Sequence, residues 1–189
     1  MDDLKKLEQE KAELNALINN GMPFEIVDTG FQRKKGFWGL IGKRVPVQVR
    51  KQFEIKQFTL GTLDRLSAEW IEFAIDEVKL KSEDATKHAK ELVRKHTKRC
   101  AKIVALAVMG TNYLIPKCSI NGVVRYVENT KQLGYLTDLF FRTIKPSDLF
   151  QLCVLIDSMS NLGDFINSIR LMSNGRSTMP IRIEANKED

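Results

Sequence analysis

The sequence predicts a mainly α protein, a helical bundle of about five to six helices with a small N-terminal β-hairpin. Three observations carry this. Apolar residues recur at helical spacing from residue 62 to residue 172. Period-two alternation is confined to residues 24–58. Hydrophobic residues make up 43% of 189, enough to bury a core in a chain of this length. The expected organisation is an amphipathic helix over 1–22, a β-hairpin with a basic and aromatic loop over 23–60, a helical domain over 61–172 and a mobile tail over 173–189.

The first helix is expected over residues 3–19. Leu4, Leu7, Leu14 and Ile18 fall on heptad a and d positions, with Lys11 at one a position. Asn19-Asn20-Gly21 and Pro23 stop it. So short a helix is marginal alone and must pack in cis or serve as a homo-oligomer contact. The β-like part follows. Phe24-Glu-Ile-Val27 reads as a short strand, and Val45, Val47, Val49, Phe53 and Ile55 alternate with polar neighbours. A turn at Arg50-Lys51-Gln52 is expected to fold those residues into the hairpin. Gly30, Gly36, Gly39 and Gly42 mark residues 29–44 as a flexible loop.

Thr59 or Thr62 caps the next helix, which carries Leu63, Leu66, Trp70 and Phe73 on one face, widened by Ile71, Ile75 and Val78. Ser82-Glu83-Asp84 opens a long helix over about 83–109, with Ala85, Ala89, Leu92, His96, Ile103 and Ala107 in its apolar stripe. Ile103 to Met109 is apolar almost all round, which predicts a buried end closed by Gly110. Residues 111–127 read as irregular, with turns at Pro116 and Asn121-Gly122. Three shorter helices follow. The first, at about 128–142, carries Leu133, Leu136 and Phe140; the second follows Pro146-Ser-Asp and carries Leu149, Leu152, Cys153 and Ile156; the third, at about 161–172, carries Leu162, Phe165, Ile166, Ile169 and Met172. No internal repeat is visible.

The formal net charge of +6 is strongly patterned. Residues 30–60 carry eight basic groups and one acidic, and residues 79–102 carry nine and three. Residues 1–29 and 61–78 are each net −4. Within the second basic block, Lys90, Arg94, Lys98 and Lys102 succeed one another at i, i+4 and form one row on a helix face. Such a row is either a solvated face or a surface for an acidic partner or nucleic acid. The first block interleaves Arg33, Lys34 and Lys35 with Phe37 and Trp38. That mixture suits single-stranded nucleic acid through charge and stacking, and equally a protein interface.

Catalytic chemistry finds no foothold. Cys100, Cys118 and Cys153 are odd in number and widely spaced, which favours free thiols; Cys100 and Cys153 read as small core residues. His88 and His96 lack metal-ligand spacing, and no metal or cofactor is expected. His96 reads as a hydrogen-bonded histidine of the core or its boundary. Gly36–Gly42 lacks the phosphate-loop pattern, since Gly42-Lys43 is followed by Arg44. The pairs Asp64/Glu69 and Asp157/Asp164 read as surface residues or caps. No apolar run reaches the 18 to 20 residues or so that span a bilayer. The opening Met-Asp-Asp-Leu-Lys-Lys lacks the pattern of a secretory signal.

One segment is distinctive: Phe53-Glu-Ile-Lys-Gln-Phe-Thr-Leu-Gly-Thr-Leu-Asp-Arg-Leu-Ser-Ala-Glu-Trp70. With Lys98-Arg-Cys-Ala-Lys-Ile-Val-Ala-Leu-Ala-Val108 and Phe140-Phe-Arg-Thr-Ile-Lys-Pro-Ser-Asp-Leu-Phe150, running on to Asp164-Phe-Ile-Asn-Ser-Ile169, it resembles the tail assembly chaperones of long-tailed bacteriophages and their prophages. The resemblance covers roughly residues 45–172. It implies a non-enzymatic helical protein in the cytoplasm of a bacterial host, acting in viral morphogenesis with no membrane partner. Its client is the tape measure protein, and the tail tube protein is a second candidate partner. Under this reading Lys90, Arg94, Lys98 and Lys102 line a client-binding face. The alternative is a nucleic-acid-binding phage or mobile-element protein that uses loop 30–44.

Overall fold

The structure, a computed structural model, describes residues 20–33, 44–73, 85–118 and 121–174. These are mainly helical, as expected, with two antiparallel hairpins. In chain order they form β1 (Met22–Arg33), β2 (Arg44–Ile55), α1 (Leu60–Ile71), α2 (Ala85–Met109), a 3-10 turn (Gly110–Tyr113), β3 (Leu114–Cys118), β4 (Val124–Glu128), α3 (Thr130–Thr143), α4 (Pro146–Ser160) and α5 (Leu162–Asn174).

The first hairpin differs from expectation. β2 runs unbroken through Arg50-Lys51-Gln52, and its partner is β1, in a register from Met22↔Ile55 to Arg33↔Arg44. Lys51 interrupts the apolar alternation because it reaches across to Asp28; it is a half-buried cation within the strand rather than a turn residue. Both strands extend into the segment expected to be a loop, leaving 34–43 between them. On the inner face Phe24 stacks on Phe53 at 5.8 Å, and Phe53 meets Phe140 of α3 edge-on at 5.1 Å. These rings seat the hairpin on the helices.

Residues 111–118 and 121–127 are not irregular throughout. β3 and β4 pair from Leu114↔Glu128 to Cys118↔Val124. Gly122, at φ +74°, supplies the left-handed residue that this connection requires. Pro116 is tolerated because the described sheet has two strands and each is an edge.

The helix signals act locally. Thr59 caps α1, its side chain accepting from the Thr62 backbone at 3.4 Å. The buried Thr62 hydroxyl donates to the Gly110 carbonyl at 2.8 Å, tying the start of α1 to the end of α2. Asn129 caps α3 by accepting from the Gln132 amide at 3.2 Å. Pro146 opens α4, where a missing N–H costs nothing. Asn161, at φ +44°, breaks the path between α4 and α5.

The core lies where the sequence is most apolar. Ile103 to Ala107 and Met109 are buried, against Leu136, Leu139 and Phe140 of α3 and Ile156 and Met159 of α4. Ile55 and Leu66 complete it from the hairpin and α1. Burying each such side chain contributes about 1.5–3 kcal/mol.

Candidate partner-binding surface

The basic row divides in space. Lys90, Arg94 and Lys98 are exposed along the outer side of α2. Lys102 is not part of that free face. Its ammonium donates to Glu69 Oε1 at 2.5 Å, and Arg99 approaches the other oxygen of the same carboxylate at 3.5 Å. Glu69 is therefore a buried bridging residue between α1 and α2, not the surface acid expected from sequence. One turn earlier on α2, His96 is buried with its ring 5.0 Å from Phe73. Neither ring nitrogen has a hydrogen-bond partner, contrary to the expected bonded histidine. Burial, then the charges of Lys95 and Arg99, holds its pKa below the usual histidine range. The ring is thus a neutral spacer among cations.

Of the aromatic and basic loop residues, Arg33 ends β1. Lys34, Lys35, Phe37 and Trp38 lie outside the described residues, as do the 3–19 helix, Ile75, Val78 and the 176–189 tail. The cysteines depart from the core reading: Cys153 is exposed and Cys100 is only half-buried. Among the described residues no cluster of three His, Cys, Asp or Glu has a metal-site arrangement.

The most unusual surface is one that the sequence presented as ordinary helix packing. None of the residues of α5 is buried. Leu162, Phe165, Ile166, Ile169 and Met172 recur at i, i+3, i+4, i+7 and i+10, and all are exposed. Phe150 and Val154 of α4 are exposed as well, at 72% and 55%. A helix face carrying this many exposed apolar side chains is a candidate interaction surface. A cavity of about 290 Å³ opens at the base of α5, lined by Trp70, Ile103, Cys153, Ile156, Asp157 and Leu162.

The stretch Pro146–Asn174 is long and apolar enough to cross a membrane by length and composition alone. It contains an 18-residue window of mean hydropathy 1.2, of which 22% is buried. The left-handed residue Asn161 interrupts it, and Asp164 and Arg170 lie within α5.

No family model, no curated protein and no solved structure matches this chain.

Proposed function

We propose that the chain is a non-enzymatic tail assembly chaperone of a phage or prophage, holding the tape measure protein during tail assembly in the host cytoplasm. The observation that carries the reading is α5, a helix with a complete apolar stripe and no residue buried. A long helical client exposes matching amphipathic segments until it is sheathed, and an apolar helix face is what receives such segments. The proposal takes the chain as a bundle of about five to six helices. It assigns Lys90, Arg94 and Lys98 to steering an acidic client, which makes association sensitive to salt. Lys102, half-buried, is instead engaged by Glu69.

The test is co-expression with the tape measure protein, the very long helical product expected from the same gene cluster, followed by affinity recovery at low and high salt. Co-recovery that weakens as salt rises supports the proposal. A chain recovered alone, but binding single-stranded DNA or RNA at about 50 mM salt, favours the nucleic-acid reading instead.

A further inference from the structure

Two of the cysteines flank the packing of α2 on α4. Ile103 of α2 and Ile156 of α4 are both buried in the core where these helices meet. Both also line the cavity of about 290 Å³ at the base of α5, together with Cys153. Each cysteine stands three residues before one of these isoleucines, Cys100 before Ile103 and Cys153 before Ile156. Residues at i and i+3 are neighbours on a helix surface, so both thiols lie beside the same helix–helix contact. They also lie on the same side of it. Burial, and then the charge of Cys153, raises the Cys100 thiol above the usual cysteine range; an influence of that kind acts only across a short gap. Cys153 is exposed and Cys100 half-buried. A reagent arriving from solvent therefore meets Cys153 first, with Cys100 behind it.

We propose that Cys100 and Cys153 are a redox pair, which a small disulfide oxidises to an internal disulfide that staples α4 to α2. The Cys153 thiol loses its proton, and the thiolate attacks one sulfur of the small disulfide. A mixed disulfide forms and the first small thiolate leaves. The Cys100 thiol loses its proton in turn, and its thiolate attacks the Cys153 sulfur. The internal bond forms as the second small thiolate departs. The two cysteines give up two electrons, the small disulfide takes them, and the two protons end on the two small thiols. Burial raises the Cys153 thiol as well, which limits the thiolate and slows the response. In a reducing compartment the pair stands as two thiols, and it closes when oxidised small disulfide accumulates. This inference is independent of the chaperone reading, because it involves no partner protein.

The test uses the intact chain and its Cys118→Ser variant, which keeps only the proposed pair. Both are incubated without denaturant at about pH 8.5, where cysteine thiolate is well populated, with oxidised glutathione, and remaining thiols are then trapped with iodoacetamide. Mass spectrometry is expected to show the loss of two hydrogen atoms, and proteolysis to release the Cys100 and Cys153 peptides joined. Dithiothreitol should part them. Amide exchange in α4 should slow at least tenfold on oxidation and recover on reduction. Any of four results would overturn the proposal. They are both thiols persisting, glutathione remaining on Cys153 with no internal bond, a bond made only between chains or to Cys118, and α4 exchanging equally fast in both redox states.

Discussion

The carboxylate of Asp28, on β1, meets the guanidinium of Arg142, on α3, in a two-pronged contact at 3.2 and 3.3 Å across 114 residues of sequence. Lys51 of β2 donates to the same carboxylate at 2.8 Å and to the Tyr135 hydroxyl at 3.2 Å. One nearly buried acid thus ties both strands of the first hairpin to α3. The Lys51 hydrogen bond, helped by Arg142, outweighs burial and holds the Asp28 pKa below the usual carboxylate range.

Asp28→Ala is expected to destabilise the fold by about 1.5–3 kcal/mol, the scale of a hydrogen bond to a charged group. Lys51 and Arg142 are partly exposed and can rehydrate, which keeps the loss below that of a fully buried pair. Urea unfolding of both proteins measures it. A change under about 0.5 kcal/mol would show that the aromatic contacts alone seat the hairpin.

His96 makes stability depend on pH in a second window. Its folded pKa is depressed, so the neutral ring is favoured by folding. That contribution is complete above the unfolded value of about 6.5 and is lost as pH falls below it toward the folded pKa. Asp28 acts with the same sign, but only below its unfolded value of about 3.9. Melting temperature is therefore expected to fall between pH 7 and pH 5 in the native chain and to stay nearly flat in His96→Leu. An equal fall in the variant would remove His96 as the cause.

The split of the basic row predicts unequal effects within it. Reversal of Lys90, Arg94 and Lys98 to Glu should leave urea stability within about 0.5 kcal/mol, since all three are exposed. Lys102→Glu places a second carboxylate beside the buried Glu69 and should cost about 1–3 kcal/mol. Equal costs at all four positions would contradict the assignment of Lys102 to a structural pair with Glu69.

Exposure of α5 predicts that its apolar residues contribute little to folding. Ile166→Glu with Ile169→Glu should change stability by less than about 1 kcal/mol. Phe140→Ala, in the aromatic cluster, should cost about 3–5 kcal/mol. A large loss in the α5 variant would mean that this face is already covered in the isolated chain.

What was legible in the sequence was whatever acts locally. Thr59 and Pro146 mark helix starts through a side-chain hydrogen bond and a dihedral limit. The near-continuous apolar run Ile103–Met109 announced the core, because a helix apolar all round must be buried. What misled depends on partners distant in sequence. Lys51 looked like a turn residue until Asp28 and Tyr135 were placed beside it. Glu69 looked solvated until Arg99 and Lys102 closed on it. Asn121-Gly122 between two β-branched stretches was an available hairpin signal for β3 and β4; Pro116 obscured it. The exposure of α5 was not readable at all, since periodicity shows that a helix has an apolar face but not what covers it.

The central claim is that the apolar face of α5 holds a helical segment of the tape measure protein. Its most direct measurement is co-purification of that protein with the native chain and with the Ile166→Glu, Ile169→Glu variant, at equal expression and matched thermal stability. The account predicts stoichiometric recovery with the native chain and at least a tenfold loss with the variant. Undiminished recovery with the variant would contradict it.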